Sequence, residues 1–115
     1  YEKAAEQGYE GSVWLENEAE QGDAAAQAST GLRYMSGNPE DYDYERAVYW
    51  LNKAAEQENA AGQFFLGWLY ERGDGVKQDI KKANELYQKA AENGHIGAMK
   101  TMEQKEQESH SPDLL

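Results

Sequence analysis

An all-α solenoid of helical hairpins is the fold this sequence predicts. Three observations predict it: an internal repeat of 36 residues, apolar side chains at helical spacing within each repeat, and glycines that punctuate the helices. Residues 24–59 and 60–95 align without a gap, and twelve of the 36 pairs are identical. Gln27/Gln63, Gly31/Gly67, Tyr34/Tyr70, Gly37/Gly73, Asp43/Asp79 and Ala47/Ala83 are among them. A fixed period of roughly 20–50 residues is the mark of a stack of small units, each burying its apolar face against its neighbours. Such a stack offers a long surface for another macromolecule rather than a deep catalytic pocket.

The elements follow in chain order. Residues 1–23 form a partial or irregular repeat. Trp14-Leu15 and Ala19-Glu20-Gln21 match Trp50-Leu51 and Ala55-Glu56-Gln57 at the same offset, so 10–21 reads as a second helix of a hairpin. Yet Tyr1–Gly8 resembles the repeat end Tyr87–Gly94. A shortened repeat, residues absent between the two, and one long irregular helix all remain open. In the repeat 24–59 the helices are expected over Ala24–Ser36 and Asp43–Gln57, with Asp43 as a cap. The turn between them carries Pro39 where the next repeat has Gly75, so its shape should differ. In the repeat 60–95, Phe64, Phe65, Leu66, Trp68, Leu69 and Tyr70 give the first helix. Gly73 ends it, because glycine accepts the positive φ of a helix terminus. Asp79 caps the second helix, which carries Ala83, Leu86, Tyr87, Ala90 and Ala91 inward and ends at Gly94. Gly67 and the alanines are packing positions where helices come close. Residues 96–108 are a partial C-terminal repeat helix, and 109–115 a disordered tail.

The chain has 115 residues and a formal net charge of −11, concentrated in 1–59 at −9 against −2 for 60–115. An acidic chain repels phosphate backbones, which argues against nucleic acid and favours a basic protein partner. The same charge also keeps a protein soluble. There are no cysteines, so disulfides, thiolate nucleophiles and cysteine metal sites are excluded. No apolar run approaches the roughly 18 residues of a membrane-spanning helix. The chain starts at Tyr1, as expected of a piece of a longer protein, and cytoplasmic and periplasmic locations both stay open.

The string Phe65-Leu66-Gly67-Trp68-Leu69-Tyr70-Glu71-Arg72-Gly73-Asp74-Gly75-Val76-Lys77-Gln78-Asp79, followed by Ala83 and Tyr87–Gly94, resembles a Sel1-like repeat, a relative of the tetratricopeptide repeats. The resemblance covers nearly all of 60–95 and most of 24–59. It departs at Pro39 and at Glu58, where Gly94 suggests glycine. What it implies is a right-handed superhelix that acts as an adaptor or scaffold. Some relatives neutralise secreted bacterial toxins as immunity proteins, which is the alternative role. A penicillin-binding activity of cysteine-rich relatives is not carried over, since this chain has no cysteine.

No catalytic constellation emerges, and a hydrolase is a remote alternative. Gly73-Asp74-Gly75 lacks the Lys-Ser or Lys-Thr of a phosphate loop. His95 sits between two helices as a turn or cap residue. His110 is too far away to share a metal with it. Glu18/Glu20 and Asp41/Asp43 do not form a calcium loop. No cofactor or metal is expected, and the chain is not expected to be an enzyme. By analogy with the tetratricopeptide repeats, the first helix of each pair should line the concave side. Leu66, Gly67 and Tyr70 taken as packing positions leave Phe64, Trp68 and Glu71 on another stripe, with Ala28, Leu32 and Met35 as their equivalents one repeat earlier. Lys100 extends the stripe into the third unit. These seven are the candidate protein-binding residues, apolar in the middle and polar at one end. Phe64 is equally open to a core role. Glu40, Asp41 and Asp43 are the candidate acids that steer a basic partner.

Overall fold

The computed structural model of the chain describes residues 16–110, with side chains to residue 107. The expectations for 1–15 and 111–115 lie outside the described residues. Among the described residues all regular structure is helical. A short helix, α1, covers 16–20. It is followed by α2 (Ala24–Arg33), a 3-10 turn at Pro39–Asp41, α3 (Tyr44–Glu56), α4 (Ala60–Arg72), α5 (Ile80–Glu92) and α6 (Ile96–His110). From α2 onward each helix packs on the next in the chain, and α2 also touches α4. This nearest-neighbour pattern is that of an α-solenoid, in which α2–α3 and α4–α5 are hairpins and α6 opens a third.

Caps recur with the period. Asp23, Asn59 and His95 stand 36 apart and each accepts the backbone N–H of the residue three further on, at 2.8, 2.8 and 3.1 Å. Asp43 and Asp79 do the same for Arg46 and Lys82 at 3.1 and 3.0 Å. Each satisfies one of the orphan donors of a helix start. Gly73 ends α4 in the left-handed conformation, φ +77°, as its sequence position predicts.

The hairpins close through glycine. A Cβ on Gly31 would sit 2.8 Å from Leu51 Cγ, and one on Gly67 would sit 3.1 Å from the Ala83 carbonyl oxygen. The small residues therefore let the helices approach: Leu51 is fully buried with Ala47, Leu66 and Leu69, and Ala83 is fully buried against Gly67. A glutamine at the equivalent place in each first helix ties repeat to repeat. Gln27 Nε2 donates to the Ala19 carbonyl (3.1 Å), and its Oε1 accepts from Gln57 (2.8 Å). Gln63 accepts from Asn93 in the same way at 2.9 Å. Both glutamines are buried, and the pairing satisfies amides that would otherwise be costly to desolvate. The identity of Gln27 and Gln63 has this cause.

Two boundaries differ from expectation. Helix α2 ends at Arg33 rather than Ser36. Tyr34, Met35 and Ser36 bond back only three residues, and the Ser36 hydroxyl takes the Arg33 carbonyl at 2.9 Å, so the helix tightens into a turn. Pro39 then opens the 3-10 turn, where its missing N–H costs nothing. Helix α6 continues through His110, past the 108 expected, so residues 109 and 110 are helical rather than tail. Residues 103–108 are Glu, Gln and Lys, all good helix formers, with no glycine or proline to stop them. Glu58 takes the left-handed conformation of Gly22 and Gly94, with φ +61° against +103° and +90°. Its carboxylate accepts from Gln63 at 2.8 Å and Asn93 at 3.3 Å, which offsets the backbone strain.

Candidate protein-interaction face

The first helices α2, α4 and α6 lie along one face, and two clefts separate them. The first is apolar, about 200 Å³, and lined by Leu32, Met35, Tyr42, Phe65 and Trp68. Leu32 comes from α2, Met35 from the turn after it, Tyr42 from the segment before α3, and the two aromatics from α4. Met35, Phe65 and Trp68 rest on the buried core, so the cleft floor is fixed by the packing beneath it. The Arg72 guanidinium lies over the Trp68 ring at 4.5 Å and pairs with Asp74 at 2.8 Å, so its charge is already partnered.

The second cleft is the first one repeated. It lies between α4 and α6 and is lined by Glu71, Thr101, Gln104 and Lys105. Glu71, Thr101 and Gln104 stand 36 residues after Met35, Phe65 and Trp68. One repeat therefore turns an apolar cleft into a polar one. Lys105 Nζ donates to Glu71 Oε2 at 2.6 Å, and the Tyr87 hydroxyl donates to Glu71 Oε1 at 2.9 Å. Lys105 stands where Leu69 is fully buried one repeat earlier, and it locks α6 onto α4 by charge instead of apolar contact.

Burial alone would raise the Glu71 carboxyl, but the hydrogen bonds from Lys105 and Tyr87 outweigh it and hold the group below its ordinary 4.5. Burial, with the hydrogen bond to Glu71, pushes the Tyr87 phenol well up, so it remains a donor across the working range. A carboxyl depressed in the folded state contributes stability above its unfolded value and loses that contribution as pH falls through the folded one. The difference in unfolding free energy between parent and Glu71→Gln should thus be constant from neutral pH to about pH 5 and shrink below about 4.5. Urea titrations at stepped pH measure it. An unchanged difference at pH 3 would remove the ion pair from the account of how α6 is held.

The seven candidate residues of the stripe separate in the structure. Leu32, Met35 and Trp68 meet in the apolar cleft, and Glu71 lines the polar one. Ala28 is only 4 % exposed. It is a small residue inside the helix interface and cannot serve as an anchor. Phe64 turns away from the cleft and stacks on His95 at 4.5 Å, with Tyr87 at 5.5 Å, so it seals the joint between the second hairpin and α6. Lys100 is exposed and outside both clefts; Lys105 holds the place expected of it. Among the acids, Glu40 and Asp41 are exposed, whereas Asp43 is engaged as the α3 cap and lies 3.5 Å from Arg46 Nε. Phe65, Tyr42, Thr101 and Lys105 are site residues that the stripe did not include. Phe65 could have been found from its i, i+3 spacing to Trp68. Tyr42 lies in a connection, where no periodicity points to it. Among the described residues no group of three or more His, Cys, Asp or Glu side chains could hold a metal ion, and no helix is long and apolar enough to cross a membrane.

Stacked two-helix units with one ordered face of clefts define a helical-repeat solenoid protein. The chain belongs to the Sel1 repeat family: the family model matches residues 1–9, 24–59 and 60–95. Among solved structures it is similar to c5321, described as a protective antigen of uropathogenic Escherichia coli strains displaying an SLR fold. The two are 38 % identical, over 76 % of this chain and 19 % of that one, with a TM-score of 0.70. It is equally similar to a Sel1 repeat protein from Oxalobacter formigenes, at 38 % identity over 80 % of this chain and 27 % of that one, TM-score 0.72. The chain thus spans a quarter or so of the length of these relatives. Among curated protein sequences none matches it. Sel1 repeat proteins generally mediate protein–protein interaction.

Proposed function

We propose that this chain is a scaffold segment that holds a protein partner with a basic surface on the face built by α2, α4 and α6. The observation that carries the reading is the apolar cleft of Leu32, Met35, Tyr42, Phe65 and Trp68 on a chain that is otherwise polar and carries −11. A cluster of aromatic and aliphatic side chains on a fixed floor is the kind of patch that concentrates binding energy. The acidic field around it adds attraction and orientation to a basic partner.

The test is retention of proteins from a lysate of the source organism on the immobilised chain and on its Trp68→Ala variant. One discrete protein held by the parent and lost from the variant is the expected result. Its affinity should fall at least about tenfold as ionic strength rises from about 0.05 to about 0.5 M, because the attraction is screened over a few ångströms at the higher value. Affinity that stays flat across that range would reduce the acidic charge to a solubility device.

A further inference from the structure

We propose that the occupant of the apolar cleft is an extended linear segment of the partner, carrying one large apolar side chain flanked by lysine or arginine. This rests on the docking role of the cleft and names what enters it.

The apolar contact is short. At the equivalent positions one repeat on, Met35, Phe65 and Trp68 give way to Glu71, Thr101 and Gln104. An amphipathic helix lays down several anchors at i, i+3, i+4 and i+7 and needs an apolar groove of matching length. This face has room for one anchor, and the next cleft is polar. The Gln104 side chain there is exposed to solvent, and Glu71 and Lys105 close on each other. A single apolar cleft with a polar one after it suits one side chain of an extended segment better than a helix, which lays down a row of anchors.

The charge around the cleft sets the flanks. Tyr42 forms one wall, and the residues just before it, Glu40 and Asp41, are exposed and have no cation partner among the described residues. Asp43 is held by its cap and by Arg46, and Arg72 by Asp74. Arg33, next to Leu32 in sequence, is exposed at the end of α2. The unpaired charge on the Tyr42 side is therefore acidic, and a cationic flank complements it.

A random library of twelve-residue peptides, displayed and selected on the parent chain with counter-selection on Trp68→Ala, tests this. Enrichment of peptides with one Phe, Leu, Met or Trp and a Lys or Arg close by is expected. Their affinity should weaken a few-fold, at most about tenfold, and lose salt dependence when Glu40→Gln and Asp41→Asn are combined, because exposed rim charges each contribute little. Apolar-anchored peptides without cationic flanks, or indifferent to the double variant, would overturn the inference while leaving the docking reading in place. Helical peptides with repeated anchors would overturn it as well. No enrichment over Trp68→Ala, with that variant folded by circular dichroism, removes both readings. So does a second copy of this chain in the cleft, seen as a dimer in sedimentation that Trp68→Ala abolishes.

Discussion

Trp68→Ala should abolish most partner binding while leaving the chain folded. The indole forms a wall of the apolar cleft and is half-buried against the core, with Arg72 across one face. Truncating a central aromatic anchor costs about 2 kcal/mol or more of binding, roughly 30-fold in affinity. Fully buried aromatics cost about 3–5 kcal/mol of stability when cut to alanine; a half-buried one should cost about 1–2. Thermal melts and a binding isotherm on the same preparation separate the two effects. Trp68→Phe, which retains a ring on the core, should recover most of the stability and part of the affinity. Parental affinity in a folded Trp68→Ala chain would leave the cleft without its anchor and the proposed function without its main support.

Leu51→Ala should be the most damaging single truncation of the core, lowering stability by about 3–4 kcal/mol. Leu51 is 0 % exposed, its side chain fills the space that Gly31 leaves open, and its carbonyl lies against Gly62 of α4. It joins the first hairpin to the second. A cavity there weakens the hairpin and the joint together, and in a solenoid the joint is what makes the repeats fold as one unit. The expected loss is a large part of the roughly 5–15 kcal/mol that stabilises a domain. Ile80→Ala is the control: Ile80 is 46 % exposed at the start of α5 and should change stability by less than about 0.5 kcal/mol. Urea unfolding measures both. A Leu51→Ala chain as stable as the control would mean that the hairpins do not share this core.

Much of this architecture was legible from local chemistry. The 36-residue period, the hairpins, the caps at Asp43 and Asp79 and the stop at Gly73 all depend on residues near one another in sequence. A cap or a glycine turn is decided within a few residues, so its signal survives without knowledge of the fold. Family membership followed from the same residues, because the repeat spells out its turns and packing positions in order.

The site was legible only in part, and the reason is geometric. Phe64 and Phe65 are neighbours on α4, 100° apart around its axis. Periodicity identifies both as apolar, but the arrangement of α4 between α2 and α6 decides which one faces backward into the cleft and which one forward onto His95. Ala28 shares a helical stripe with Leu32, yet the contact of α2 with its neighbours buries one and leaves the other at the cleft. Tyr42 reaches the cleft from a connecting segment reshaped by Pro39. Lys105 finds Glu71 across 34 residues. The sequence by itself determined the repeat, its helices and its caps, since these are set by neighbours along the chain. The tertiary structure alone decided which side chains share a cleft and which charges are already paired, because those follow from how one helix lies against another.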